Sequence, residues 1–239
     1  MVRDWRTSAG QTWTVTRLCL ANLTTAWAIL VVAFAVVTVP SVVQIMQAGE
    51  DEYFENSYLL SSGNALYLLL VVVPIVVATR HILQVMHLNA AKEVFLGGAA
   101  VLYALLAASV AATNYAFYRL LDQPWSQTFQ VVNVAEVFGW TGNGSVIAFL
   151  QQFVFLLVVA LGVHCLASTQ RTWSGWSAVL VLVVLFSASL AIEPLAVVRR
   201  WLLDLLILHD DAPVQIGACL VAITTLFVGG LVMLRRREL

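Results

Sequence analysis

The chain has 239 residues, of which 61% are hydrophobic and only 10% are charged, and its mean hydropathy is +0.91. A soluble domain contains about 45–50% apolar and about 25% charged residues. The composition therefore excludes a soluble enzyme, a disordered tail and a nucleic-acid-binding protein, and the net charge of −1 provides no basic excess for a polyanion. Cys19, Cys165 and Cys219 have no paired spacing, so we interpret them as small hydrophobic residues.

Long charge-free stretches divide the chain into predicted membrane spans. A charged side chain at the centre of a bilayer costs about 2.5–3.5 kcal/mol, so spans must lie between the charges. Six gaps reach the roughly 20 residues that a spanning helix needs, and none alternates with the period of two that a β-barrel requires. The sequence therefore predicts an all-α membrane protein with a single transmembrane domain over residues 1–239. Its six predicted spans are residues 24–46, 64–79, 94–118, 146–168, 176–192 and 215–234.

The charged residues predict how the spans are oriented. When the six spans alternate, nine of the twelve Arg and Lys residues fall on one side, and ten of the thirteen acidic residues fall on the other. Positive residues concentrate on the cytoplasmic side of membrane proteins. We therefore expect a multi-pass protein of the plasma membrane with both termini in the cytoplasm. The first apolar stretch is longer than the core of a signal peptide, so we expect the first helix to stay in the mature protein.

Three segments outside the spans have a pattern of their own. Residues 11–23 mix polar and apolar side chains, which predicts either an amphipathic helix in the inner interface or a simple extension of the first span. Residues 80–93 contain no Gly or Pro and are expected to form a short helical link in the cytoplasm. Residues 193–211 are too short to cross and too apolar to be solvated, so we expect them to lie against the outer face of the membrane.

The residues indicate no catalytic or metal site in this chain. A P-loop needs Gly-x-x-x-x-Gly-Lys-Ser/Thr, but the only lysine, Lys92, stands between Ala91 and Glu93. No serine lies in a Gly-x-Ser-x-Gly motif, and the four histidines have no ligand spacing for haem or a metal. We therefore expect no catalytic residue, no metal and no cofactor of its own.

Few polar residues fall inside the predicted spans. They are Asn114 in the third span, Gln151 and Gln152 in the fourth, and Glu193 at the outer end of the fifth. Glu193 fits either a carboxylate that lines an exit path or a plain interfacial acid. Ion-coupled transporters need ionisable groups near the membrane midplane, so such scarcity indicates that another subunit supplies the energy for any transport.

The arrangement of these segments resembles a known family. The lead-in helix, the six spans with both ends inside, and the membrane-hugging segment before the last span are similar to the permease subunits of ABC-2 type (type V exporter-like) transporters. The link ends in Asn89-Ala90-Ala91-Lys92-Glu93-Val94-Phe95-Leu96-Gly97, which is similar to the small basic turn before Phe and Gly in those permeases. The resemblance covers nearly the whole chain, but Ala91-Lys92-Glu93 stands where the family commonly has a Ser-Arg-Arg or Ser-Arg-Lys turn.

This resemblance implies half of an exporter. A second copy, or a related permease subunit, would complete the membrane path, and a separate ABC ATPase subunit would bind ATP and Mg on the cytoplasmic side. The residues implied to dock the ATPase are His81, Gln84, His87, Lys92 and Glu93. The residues implied to line the substrate path are Asn64, Tyr67, Ser187, Ser189 and Glu193.

The smooth apolar interior favours an amphipathic or hydrophobic cargo, such as a peptide, a drug or a lipid. An alternative is a six-span membrane protein that binds a ligand, confers immunity to a toxin or acts as a scaffold, and that transports nothing. Such a protein would be expected to hold a polar pocket in its own bundle. Asn114, Gln151 and Gln152 are the residues that the sequence offers for it.

Overall fold

The computed structural model describes residues 5–21, 27–28, 31–32, 34–36, 38–40, 43, 58–82, 91–126, 130–169, 173–209 and 211–236. Nine helices are named among these residues: α1 Trp5–Ala21, α2 Leu69–Val76, α3 Lys92–Phe117, α4 Gln123–Trp125, α5 Val134–Val137, α6 Ser145–Thr169, α7 Trp173–Ala191, α8 Glu193–Leu203 and α9 Ala212–Arg236. Two 3₁₀ segments, Ser62–Leu68 and Trp140–Asn143, and three π-helical turns, Val77–His81, Tyr118–Asp122 and Asp204–Leu208, adjoin them.

Four helical stretches in the described ranges are long and apolar enough to cross a membrane. They are Ser62–His81, Lys92–Asp122, Ser145–Thr169 and Ala212–Leu234. Each of them covers one predicted span, namely residues 64–79, 94–118, 146–168 and 215–234. The prediction of long apolar helices is thus confirmed at these four places, and their length and composition indicate a helical membrane protein.

The other two predicted spans are not among these four stretches. About half of residues 24–46 lie outside the described residues, and the described positions within this range are helical. The fifth predicted span, residues 176–192, overlaps α7 up to Ala191, and this helix has 19 residues and no charged side chain. That the chain crosses six times stays a prediction.

The central helix of the bundle is α6, which packs against α2, α3, α7 and α9. Its contacts with α2, α3 and α9 enclose an apolar core, and α1 closes this core from the side of α3. The largest apolar side chains that are fully buried there include Leu70, Phe95, Leu102, Tyr103 and Leu161. Glycine and alanine on α3, such as Gly98, Ala99 and Ala107, are buried as well, which lets the helices approach each other closely.

The outward surface of the bundle is strongly apolar. On α7, Leu180, Val183, Phe186 and Leu190 are each more than half exposed, and Val221 on α9 is exposed to a similar degree. Soluble monomers rarely expose large continuous apolar patches. This surface is therefore suited to contact lipid or another membrane helix.

One short pair of strands departs from the purely helical expectation. Strand β1, Tyr58–Leu60, pairs in parallel with β2, Gln130–Val132, in the register that sets Leu59 against Val131. In the sequence, β1 lies between the first and second predicted spans, and β2 lies between the third and fourth. It joins the start of Ser62–His81 to the segment that follows α3.

The segments outside the predicted spans are described in part. Residues 11–21 belong to α1, which packs on α3. Of the predicted link, residues 80–82 are helical, residues 83–90 lie outside the described residues, and Lys92 already begins α3. The predicted membrane-hugging segment contains α8 and the π-helical turn Asp204–Leu208, and it exposes Val197, Trp201 and Leu202.

Candidate functional site

The predicted docking residues lie at the ends of two helical stretches. His81 ends the π-helical turn after α2 and is buried, so contact with another subunit would require it to become exposed. Lys92 and Glu93 form the first turn of α3, where Lys92 is half-buried and Glu93 is exposed. Gln84 and His87 lie outside the described residues.

Helix α1 packs against α3 just after this first turn. Thr16 Oγ1 lies 3.0 Å from the carbonyl oxygen of Gly98 and 3.0 Å from that of Thr12, so it donates its hydrogen between them. Val15 and Cys19 are buried on the same face of α1. A methyl group on Gly98 would lie 2.7 Å from Val15 Cγ1, so the contact depends on the missing side chain.

The predicted path residues do not form one group. Asn64 and Tyr67 belong to a polar cluster inside the bundle, which we define by Ser61, Asn64, Tyr67, Asn114, Asp122, Asn133 and Gln152. Ser187 is exposed on α7, and Ser189 is buried there and donates to the carbonyl oxygen of Phe186 at 2.6 Å. Glu193 is exposed at the start of α8 and lies 3.7 Å from Arg200.

Asn133 is the centre of the polar cluster. Its Oδ1 accepts a hydrogen bond of 2.9 Å from the backbone N–H of Ala135, which caps α5 and fixes the orientation of the amide. Its Nδ2 then faces Asp122 Oδ2 at 2.7 Å and Ser61 Oγ at 3.2 Å. All three side chains are buried, so the amide of Asn133 provides the polar contact that the Asp122 carboxylate needs in this environment.

Tyr67 connects α3 to α6 within the cluster. Its hydroxyl oxygen accepts from Asn114 Nδ2 at 2.8 Å and from Gln152 Nε2 at 3.0 Å. The Asn114 and Asn133 amides lie 3.4 Å apart from nitrogen to oxygen, so the two halves of the cluster are continuous. A side chain on Gly63 would collide with Asn114 Oδ1, and this glycine therefore permits the close approach of Ser62–Leu68 to α3.

Asn64 attaches the 3₁₀ segment Ser62–Leu68 to β2 and α5. Its Nδ2 donates to the carbonyl oxygen of Val132 at 2.8 Å, and its Oδ1 accepts from the N–H of Val134 at 3.0 Å. Both polar ends of this side chain are thus occupied by backbone groups. In the described conformation Asn64 therefore holds the 3₁₀ segment against β2 and α5.

A second polar group joins α6 to α9 at the same end of the bundle. Gln151 Nε2 donates to Gln215 Oε1 at 2.5 Å, and both side chains are fully buried. Gln215 Nε2 donates to the carbonyl oxygen of Leu206, and Trp140 Nε1 donates to that of Ile207, each at 3.0 Å. These bonds fasten the π-helical turn Asp204–Leu208 to the bundle.

His164 is a buried histidine at the centre of the apolar core. Its Nδ1 lies 2.7 Å from the hydroxyl oxygen of Tyr103, and the Phe95 ring is adjacent. Within the described ranges, no group of three or more His, Cys, Asp or Glu side chains could hold a metal ion. The three cysteines are free and buried, which agrees with their interpretation as small hydrophobic residues.

The sequence indicates some members of the cluster and misses others. Asn114 and Gln152 are predicted as polar residues within spans and belong to the cluster. Gln151 is predicted in the same way but belongs to the neighbouring group with Gln215, and all three side chains are buried. Ser61, Asp122 and Asn133 are not predicted as site residues, because each stands outside a predicted span. Asn133 nevertheless carries a signal, since Asn before a short apolar run is a favoured helix cap.

No family model, no characterised protein and no solved structure matches this chain.

Proposed function

We propose that this chain is the membrane-spanning permease subunit of an ATP-binding cassette exporter. In this proposal the chain crosses the plasma membrane six times, has both termini in the cytoplasm and adopts an ABC-2 type architecture. It pairs with a second copy or a related permease subunit. A separate ABC ATPase subunit binds ATP and Mg and supplies the energy, so the chain itself is not an enzyme.

The observation that carries the proposal is the contact between α1 and α3. In the family that the sequence resembles, the lead-in helix and the link after the second span are the docking elements. Here α1 packs on α3 through Thr16 and Gly98, within two turns of Lys92 and Glu93. A force applied at these two residues would pass into α1 and the core of the bundle, because α3 contacts both α1 and the core.

The apolar character of the chain supports the proposed cargo. The described surface of α7 is almost wholly apolar, and Ser187 is a small polar residue on it. Such a surface is suited to an amphipathic or hydrophobic substrate, such as a peptide, a drug or a lipid, and offers little to replace the hydration shell of an ion.

A second candidate is a membrane protein that binds a ligand or acts as a scaffold. The polar cluster favours this candidate, because seven polar side chains meet in the bundle. The sequence alone indicates only Asn114, Gln151 and Gln152 as residues for a polar pocket. Most polar atoms of the cluster bond to one another or to backbone groups, whereas Gln152 Oε1 is buried with no hydrogen-bond partner in the described part of the chain. This atom is the point at which a small polar ligand would be expected to bind.

Co-purification separates the two candidates. The full chain is expressed with an ABC ATPase from a neighbouring reading frame of the same genome, and the permease proposal expects the two proteins to elute together in detergent. Reversing both charges in Lys92→Glu/Glu93→Lys should abolish co-elution. The matched control, Glu193→Arg/Arg200→Glu, reverses an exposed pair in the predicted outer segment and should leave co-elution unchanged.

Independent elution of the unmodified chain would contradict the permease proposal and favour the binding protein. Equal loss of co-elution in both variants would contradict docking at Lys92 and Glu93, because the control pair belongs to a different part of the fold. ATP hydrolysis by the purified chain alone would contradict the division of roles between the subunits.

A further inference from the structure

An open groove runs along α8 and the π-helical turn that follows it. It encloses about 540 Å³ and is lined by Val197, Arg200, Trp201, Leu203, Asp204 and Leu208. The four apolar lining residues are all more than two fifths exposed. The groove thus combines an apolar surface with one positive and one negative side chain.

The two charged side chains are not paired with each other. Residues four apart on a helix are neighbours, and Arg200 and Asp204 have this spacing. Arg200 instead faces Glu193 at 3.7 Å, in a pair whose side chains are 66% and 78% exposed. No cation pairs with Asp204 anywhere in the described residues, so the groove presents a weakly engaged guanidinium beside an unengaged carboxylate.

The backbone of the groove is held in place from behind. Asp204 begins the π-helical turn. Such turns are uncommon in proteins, and many of those that occur lie at functional sites. The carbonyl oxygens of Leu206 and Ile207 accept hydrogen bonds from the buried side chains of Gln215 and Trp140. The groove is therefore formed before any ligand binds.

We propose that this groove binds one phospholipid whose zwitterionic headgroup carries a primary amine, as in phosphatidylethanolamine. Arg200 binds the phosphate, Asp204 accepts hydrogen bonds from the ammonium group, and an acyl chain lies along Val197, Trp201 and Leu208. The pairing of charges selects the headgroup. A choline headgroup has no N–H to donate to Asp204, and an anionic lipid has no cation for it.

The inference goes beyond the proposed transport role and does not depend on it. It needs only that α8 lies at the membrane surface, which its exposed Val197 and Trp201 favour. Co-elution with an ATPase would be unaffected by the variants used here.

Native mass spectrometry of the purified full chain in detergent tests the proposal. Palmitoyl-oleoyl lipids with ethanolamine, choline or glycerol headgroups are added at equal concentrations. We expect the ethanolamine lipid to bind about two- to fivefold more tightly than the others, the size of one exposed charge contact. Asp204→Asn should remove this preference, and Arg200→Gln should weaken binding of all three lipids.

Two controls sharpen the result. Glu193→Gln removes the partner of Arg200 outside the groove, so binding of the ethanolamine lipid should be unchanged or tighter. Asp204→Glu keeps the charge and should keep the preference. Because both residues are exposed, each variant is expected to elute from size exclusion as the unmodified chain does.

Three outcomes would overturn the proposal. They are equal binding of the three lipids, a preference for the glycerol headgroup, and a preference that survives in Asp204→Asn. O-phosphoethanolamine has the same headgroup without acyl chains and is expected not to compete. Competition by it at equal concentration would make a soluble amine phosphate the occupant and would also overturn the assignment to a lipid.

Discussion

The polar cluster and the contact of α1 with α3 both join segments far apart in sequence, but they rely on different forces. Asn133 and Ser61 are 72 residues apart and meet through hydrogen bonds whose directions are fixed by the cap of α5. Thr16 and Gly98 are 82 residues apart and meet because Gly98 has no side chain. Burial of apolar surface does not drive helices together within lipid, so packing of small residues and polar bonds must do so. Hydrogen bonds hold the polar cluster together, and close packing at Gly98 holds α1 against α3.

The difference predicts how each contact fails. In the polar cluster, removing one partner leaves other buried polar groups without hydrogen bonds, so the loss spreads through the network. In the α1 contact, adding one methyl group forces two helices apart, while the hydrogen bond of Thr16 has an alternative acceptor in its own helix. The cluster should therefore be sensitive to the removal of a polar side chain. The α1 contact should be sensitive to the addition of a side chain at Gly98.

The largest effect is expected from Asn133→Ala. This change removes the hydrogen bonds to Asp122 and Ser61 and the cap of α5, and leaves the Asp122 carboxylate buried without its donor. We expect the free energy of unfolding to fall by about 3 kcal/mol, since hydrogen bonds to charged groups contribute most. Denaturation of the full chain in mixed micelles, followed by circular dichroism, measures it.

A matched variant and a cycle test the cause. Glu136→Gln changes an exposed residue on the same short helix and should alter the free energy by less than about 0.5 kcal/mol. Combining Asn133→Ala with Asp122→Asn should cost less than the sum of the two single changes, because the buried charge is gone. Additive costs would show that Asn133 and Asp122 are not coupled.

The sequence predicts the spans better than it predicts the cluster. Charge-free gaps locate four helices, but the helices extend past the predicted bounds, to Asp122 at one end of the third and Lys92 at the other. A prediction from charge-free gaps ends each span before the first charged residue. It therefore misses a charged residue that continues the helix, such as Asp122, whose side chain is buried against Asn133. Such a prediction assigns Asp122 only as an outer flanking acid.

The cluster cannot be predicted because its members share no local pattern. Tyr67, Asn114 and Gln152 come from three different helical stretches, and their meeting depends on how each stretch is rotated about its axis. Long helices that are apolar on every side leave that rotation undetermined from the sequence. The glycines of α3 are recognisable as packing residues, but the sequence does not distinguish Gly98 from Gly97.

Gly98→Ala is expected to have the next largest effect on stability, and it distinguishes Gly98 from Gly97. Its methyl group would lie 2.7 Å from Val15 Cγ1 and 3.0 Å from the Thr12 carbonyl oxygen, so α1 must move. We expect a loss of about 1–3 kcal/mol in the free energy of unfolding, the usual cost of overpacking. Tryptic cleavage after the exposed Arg17 should also become faster, as α1 loosens.

Gly97→Ala is the control for that change. A methyl group there would lie 3.7 Å from Thr12 Cγ2, an ordinary van der Waals distance. Because Ala favours helix over Gly by about 1 kcal/mol, this variant should be as stable as the unmodified chain or more so. Equal destabilisation by both substitutions would contradict the contact as described.

The smallest effect concerns the reactivity of Cys19, which reports on the α1 contact without disturbing it. Burial raises the pKa of the Cys19 thiol from its ordinary value of 9.0 to about 12. A raised thiol pKa keeps the group protonated, so its thiolate fraction at pH 8 should be about a thousandfold lower than that of an exposed thiol. Maleimide labelling of the folded chain should therefore leave Cys19 unmodified, whereas cysteine introduced by Gln11→Cys, on the exposed face of the same helix, should react readily. In Gly98→Ala, labelling of Cys19 should accelerate while labelling at position 11 stays constant, because only the buried face of α1 is uncovered. Equal labelling of Cys19 and of the cysteine at position 11 in the Gln11→Cys chain would show that α1 does not rest on α3.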